Sequence, residues 1–177
     1  MSEPAILGTM HTGITVSDID RSLAFYRDAL GFEVTEKEPR YTTPTFQKFV
    51  GVPNAEFEVA YAKAPGHAIE ILGYVKPDDR LRHSPLRACD AGCMHLAFAV
   101  RNMDALLQRL KDHGAEVAEP QEIKEGMYKG TRGIYVRDPD GIILEIAELP
   151  PGQVVGFWKA PDTATSDFAH GGSGESC

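Results

Sequence analysis

The chain states one unit twice. The stretch MHTGITVSDIDRSLAFYRD, beginning at Met10, returns as MHLAFAVRNMDALLQRLKD, beginning at Met94, with Met10/Met94, His11/His95, Val16/Val100, Asp20/Asp104, Leu23/Leu107 and Asp28/Asp112 in register. After a one-residue gap, Gly31, Glu33, Val34 and Glu36 match Gly114, Glu116, Val117 and Glu119. Later in each half GHAIEI (66 to 71) faces GIILEI (141 to 146), which sets Glu70 against Glu145. Two copies of one pattern meet the same local demands twice, so the chain is expected to build two like modules packed together rather than one irregular core.

Each copy reads as strand, helix, then strands. Residues 9 to 16 alternate in the manner of a strand, Ser17-x-x-Asp20 resembles a capping box, and Ile19, Leu23, Tyr26 and Leu30 mark a helical face that Gly31 closes. In the second copy Asn102 stands at the N-cap position, Met103, Leu106, Leu107 and Leu110 form the apolar stripe, and Gly114 ends the helix. Further strands are expected near 32 to 37, 55 to 63 and 67 to 74, then near 115 to 119, 131 to 137 and 142 to 148. The fold class is therefore α+β, two tandem βαβββ modules, with the first over 9–75, a linker over 76–93 and the second over 94–149. The Pro- and Thr-rich segment 38 to 54 reads as a long loop over one side of the sheet, with a helical turn around Phe46 to Val50. From Pro150 to Cys177 a tail ending in DFAHGGSGESC is expected to be partly mobile.

Composition excludes several classes of function. A formal net charge of -8 opposes a nucleic-acid partner, whose binding draws on neutralised phosphates. No apolar run is long enough for a membrane span, and the start MSEPAILGTM lacks a secretory pattern, so a cytoplasmic protein without a membrane role is expected. Cys89, Cys93 and Cys177 are odd in number, which argues against a disulfide framework, and no second pair completes a zinc-finger spacing around Cys89 and Cys93.

Strand parity locates the chemistry. In MHLAFAV the large apolar side chains Met94, Leu96, Phe98 and Val100 take one face, leaving His95, Ala97 and Ala99 on the other. In the first copy Met10, Ile14 and Val16 take the packing face, with Thr12 the exception, and His11 shares its face with Gly13 and Thr15. A polar residue followed by small ones describes the wall of an open cavity. Glu70 and Glu145 alternate away from their isoleucine and leucine neighbours in the same way, and a carboxylate in an apolar strand calls for compensation. Two imidazoles and two carboxylates balance one divalent ion, so His11, Glu70, His95 and Glu145 are candidate ligands for Ni, Co, Zn, Mn or Fe. His67, His83 and His113 fall outside this pattern and read as structural or surface residues.

The segments HTGITVSDIDRSLAFYRDALGFEV, AIEI, MHLAFAV and YVRDPDGIILEI resemble the vicinal oxygen chelate superfamily over about residues 9 to 149. That resemblance implies paired βαβββ modules whose curled mixed sheets form a cleft around the metal, in a homodimer acting on a small molecule. Within it a His/Glu/His/Glu set is similar to glyoxalase I, and methylmalonyl-CoA epimerase is similar except for Gln at the place of Glu70. The implied reaction is an isomerase, epimerase or lyase step, in which Glu145, and secondarily Glu70, moves a proton beside a carbonyl or hydroxyl oxygen of the substrate. Bacterial glyoxalase I has Arg at the place of Thr15 and Asn at that of Tyr74, so a glutathione-linked substrate does not carry over with the motif.

Two other members of the superfamily supply alternatives. An extradiol-type iron dioxygenase would use His11, His95 and Glu145, although the upstream catalytic His is replaced by Gly126, Met127 and Tyr128. A bleomycin-resistance type of binder would use the fold without a metal. Candidate substrate contacts are Phe49, Tyr128, Arg132 and Trp158, of which Arg132 can hold a substrate carboxylate or an acidic neighbour.

Overall fold

The computed structural model describes residues 4–83, 86–156, 158–160 and 162. His170, Cys177 and the Ser/Gly-rich end of the tail lie outside them. The described chain is α+β and carries two four-stranded sheets of the same plan. In the first module the elements run β1 (Thr12–Val16), α1 (Ile19–Ala24), β2 (Glu33–Val34), α2 (Pro44–Val50), β3 (Glu56–Ala64) and β4 (His67–Lys76). The second comprises β5 (His95–Ala99), α3 (Met103–Asp112), β6 (Gln121–Glu122), β7 (Arg132–Arg137) and β8 (Ile143–Glu148). Strand order is β1-β4-β3-β2 in one sheet and β5-β8-β7-β6 in the other, so each sheet is mixed and open. The edge strands β1 and β5 lie parallel to β4 and β8.

Alternation explains how each helix is seated. Ile14, Val16, Ile69 and Ile71 are buried beneath α1, which contributes Ile19 and Leu23 to the same cluster. The helix comes down where β4 carries Gly73: a Cβ there would lie 2.8 Å from Ile19 Cβ, closer than two carbons can approach. Asp18, not Ser17, caps α1 by accepting from the Arg21 amide. After Ala24 the helix widens into a π-helical turn, Phe25–Ala29, whose Phe25, Tyr26 and Ala29 are all buried. In the second module Met103, Leu107 and Leu110 are buried on α3. Asn102 stands at its N-terminus with a left-handed backbone and makes no capping bond; the Glu148 carboxylate on β8 accepts from the Met103 amide at 3.1 Å instead.

Three segments differ from the sequence-based expectation. Residues 115 to 119 form no strand: Ala115 and Val117 do pack on the core, but pairing with β7 begins only at Gln121 and Glu122. Met10, expected on the packing face, is 84% exposed, because it precedes the point where β1 joins β4. Past Pro150, Val154–Val155 (β9) and Trp158–Lys159 (β10) form a small antiparallel hairpin. Gln153 ties it down, accepting from the Thr131 hydroxyl at 3.1 Å and donating to the Met127 carbonyl at 2.8 Å. The helical turn expected around Phe46 is α2, entered through Pro44 and ended by Gly51 at φ 70.

The modules dock through their helical sides, and one apolar cluster runs through both. Phe32 meets Phe98 edge to face at 5.4 Å between ring centroids, and Arg109 Nε donates to the Ala29 carbonyl at 2.6 Å. The strongest tie is the turn Asp138–Pro139–Asp140. Asp140 is buried and accepts from the Ser17 amide at 2.9 Å, the Arg21 guanidinium at 3.1 Å and the Ser22 hydroxyl at 3.2 Å. Asp138 accepts from the Tyr26 hydroxyl at 3.2 Å and from the amides of Asp140 and Ile142. Among the described residues, no helix is long and apolar enough to cross a membrane.

Candidate functional site

Each sheet turns one face to its helix and carries a histidine and a glutamate on the other. In the first module Gly13 on β1 lies in register with Glu70 on β4. His11 stands two residues before Gly13, so strand parity sends both to the Glu70 face. Gly13 leaves room beside the carboxylate: a Cβ there would stand in ordinary contact, 3.4 Å from Glu70 Oε2. His11 Nε2 lies 3.2 Å from that same oxygen.

The second module reproduces the arrangement. Ala97 on β5 is in register with Glu145 on β8, His95 stands two residues before it, and His95 Nε2 lies 3.1 Å from Glu145 Oε2. The imidazoles are 30% and 43% exposed and the carboxylates 20% and 25%, so both pairs remain open to a ligand. Each therefore turns one nitrogen and one oxygen toward a common point, a donor set suited to a first-row divalent ion.

The four residues are not gathered into one group within the chain. Because the modules meet through their helical sides, the two His/Glu faces remain separate. Among the described residues, no three His, Cys, Asp or Glu side chains converge as a metal site. One chain thus presents two separate His/Glu pairs as candidate ligands. Among the described residues, the edge strands beside them, β1 and β5, each pair on one side only.

The other sequence candidates are scattered. Arg132 lies on the helical side of β7, where its guanidinium bonds Asp104 at 2.7 Å and Glu148 at 3.2 Å, the acidic pairing that its sequence left open. Phe49 projects from α2 and is 85% exposed, while Tyr128 and Trp158 are exposed on the 123–131 loop and on β10. His67 donates or accepts at the Thr12 hydroxyl, 2.8 Å away, which accounts for the one polar residue on the packing face of β1. Cys89 and Cys93 are free thiols.

Two further residues beside the His/Glu pairs are invisible to alignment of the two copies. Tyr61 on β3 is in register with Glu70, and Tyr135 on β7 is in register with Glu145, so each glutamate lies between a small residue and a tyrosine. The Tyr61 hydroxyl donates to Glu70 Oε1 at 2.9 Å. Tyr135 lays its ring against His95, with centroids 5.2 Å apart, and its phenol interacts with Glu145. Both phenols are pushed above the ordinary tyrosine range, first by burial and then by the neighbouring carboxylate. The correspondence hides because Tyr61 precedes its glutamate by nine residues and Tyr135 precedes its own by ten, which no single offset can align.

On the first module the same face continues into an aromatic wall. Within the segment 38 to 54, the expected helical turn is α2, which lays Phe46 and Val50, with Tyr41, over Phe57, Val59, Tyr61, Leu72 and Tyr74. Tyr41 and Phe46 approach to 4.3 Å and Phe57 and Tyr74 to 5.1 Å between ring centroids. Tyr74 feels Glu70: its phenol is raised by burial and, secondarily, by that charge.

A sequence profile of the Glyoxalase/Bleomycin resistance protein/Dioxygenase superfamily matches residues 8–146. A 2-epi-5-epi-valiolone epimerase of an Actinomyces species is 29% identical over 154 residues, covering 84% of this chain and 83% of the relative. A probable lactoylglutathione lyase of a Synechocystis species is 29% identical over 143 residues, covering 78% and 93%. A crystal structure of a glyoxalase family protein from Bacillus cereus superposes with a TM-score of 0.72 at 21% identity, covering 84% of this chain and 98% of that one, which shows the common fold. With the duplicated module and a profile match across most of its length, the chain belongs to the Glyoxalase/Bleomycin resistance protein/Dioxygenase superfamily.

Proposed function

We propose that the protein is a divalent-metal-dependent isomerase, epimerase or lyase that moves a proton beside a carbonyl or hydroxyl oxygen of a small substrate. We further propose that its site is completed by a second copy of the chain, His11 and Glu70 of one protomer facing His95 and Glu145 of the other. The observation that carries this reading is the repetition, at one register in two sheets, of a His/Glu pair on an open face beside a half-paired edge strand. Relatives described as an epimerase and as a probable lyase support the reaction type.

A divalent ion held by these residues would supply Lewis acidity toward a substrate oxygen. The chain's own groups do the remainder. Glu145 takes the proton on its carboxylate and returns it to the neighbouring carbon in an isomerisation; an epimerisation needs a second acid on the opposite face of the carbon, the role that falls to Glu70. Glu70, bonded at Oε1 by the Tyr61 hydroxyl and with Oε2 beside His11, holds its place. The aromatic wall under α2 keeps water from the Glu70 side, which strengthens the electrostatics of the site.

Metal stoichiometry in mixed variants tests the arrangement. His11→Ala and His95→Ala are each expected to lose the ion. If sites are shared between copies, unfolding and refolding the two together restores one intact site in each mixed dimer, about a quarter of the wild-type metal per chain. A monomer in sedimentation, or no metal regained on mixing, refutes the shared site. Glu145→Gln is expected to keep metal while losing turnover, and full turnover in that variant refutes its role as base.

A further inference from the structure

Glutamate has three rotatable side-chain bonds, and on an open sheet face nothing in the strand itself decides where its carboxylate points. Glu70 is nevertheless held at Oε1 by the Tyr61 hydroxyl at 2.9 Å, which leaves Oε2 opposite His11 Nε2 at 3.2 Å. Tyr61 is itself fixed from behind. Its ring packs against the aromatic cluster under α2 and meets His11 edge-on with centroids 6.0 Å apart, and its amide donates to the Thr35 hydroxyl at 3.0 Å.

We propose that Tyr61 is a positioning residue for Glu70: its phenol occupies one carboxylate oxygen and so presents the other, alone, beside His11. Tyr135 stands at the equivalent place but holds Glu145 less firmly. It is 49% exposed, stacks on His95 rather than being wedged behind it, and among the described residues no counterpart of α2 covers its module. The structure thereby divides the two glutamates that the repeat makes look equal. Glu70 is the more firmly held of the two, and Glu145 the freer. The consequence for metal binding rests on the metal-dependent reading above, whereas the holding of Glu70 by Tyr61 does not.

The test uses Tyr61→Phe and Tyr135→Phe in the full chain, with Co2+ alone as the probe. Tyr61→Phe is expected to weaken Co2+ affinity about tenfold, and Tyr135→Phe less than about threefold, the effect usual for groups that orient metal ligands. Melting temperatures should fall by no more than about 2–4 °C, as suits the loss of one half-exposed hydrogen bond. Affinity in Tyr61→Phe within about twofold of wild type overturns the proposal, since an orienting partner matters by more than that.

Metal-free crystals of both variants supply the second readout. In Tyr61→Phe, Glu70 Oε2 should leave His11 Nε2, while the pair stays together in wild type and in Tyr135→Phe. An unmoved Glu70 overturns the positioning role whether or not metal binds. If wild type takes up no Co2+ yet Tyr61→Phe still releases Glu70, the functional reading fails and the positioning role stands.

Discussion

Replacing Asp140 by alanine removes the carboxylate on which three groups of the first module converge. The Ser22 hydroxyl is fully buried, and without Asp140 it loses its partner where water cannot replace it, a cost of about 1–3 kcal/mol. The Ser17 amide is half-buried and adds about 1 kcal/mol. Arg21, whose side chain is 49% exposed, regains solvent and contributes less than about 1 kcal/mol. Against these stands the relief of burying one carboxylate fewer, next to Asp138, which the Asp140 charge itself makes harder to ionise. The balance is a loss of about 2–4 kcal/mol, or roughly 5–15 °C in melting temperature for a chain of this size.

Urea denaturation followed by circular dichroism measures it, with the loss taken from the midpoint at constant slope. Ser22→Ala made in the Asp140→Ala background removes the stranded hydroxyl and should recover about 1 kcal/mol. A midpoint change worth under about 1 kcal/mol would show that the Asp138–Asp140 turn is not what holds the modules together.

Two further outcomes follow from the surroundings of Asp138 and Arg132. Burial raises the Asp138 carboxyl above its ordinary value of 3.8, outweighing the amide and phenol bonds that pull it down, so the folded chain binds this proton more tightly than the unfolded one. Its contribution to stability is complete below the unfolded value and is lost as pH rises through the folded one; Asp138→Asn should remove that decline when urea midpoints are compared from about pH 3.5 to 6, and an unchanged pH dependence would refute the assignment. Arg132→Ala should leave turnover and substrate affinity at wild-type levels and cost under about 1 kcal/mol, because the guanidinium serves a partly exposed pair on the helical side; a large rise in KM would return it to the substrate site.

The faces taken by His11, Glu70, His95 and Glu145 are legible in the residue order because they rest on local periodicity. Residues two apart on a strand share a face whatever the strand packs against, so His11 with Gly13 and His95 with Ala97 can be sorted by parity alone. The helices are legible for the same reason, down to the buried stripe of Met103, Leu107 and Leu110. Their caps are not. Met103 is capped from β8 by Glu148, and Ser17 gives its amide to Asp140 across the module junction, contacts made over 45 and 123 residues of chain.

Spacing within single elements thus specifies the repeat, the α+β modules and the face on which each His/Glu pair sits. The partners across strands and between modules come from tertiary packing. Tyr61 and Tyr135 reach their glutamates through hairpins that differ by one residue, so only the pairing register reveals them as equivalents. Docking through the helical sides keeps the two His/Glu pairs apart in one chain, because one apolar cluster buries the helical sides of both modules together. A local pattern can say which way a side chain points, but not what the rest of the chain brings to meet it.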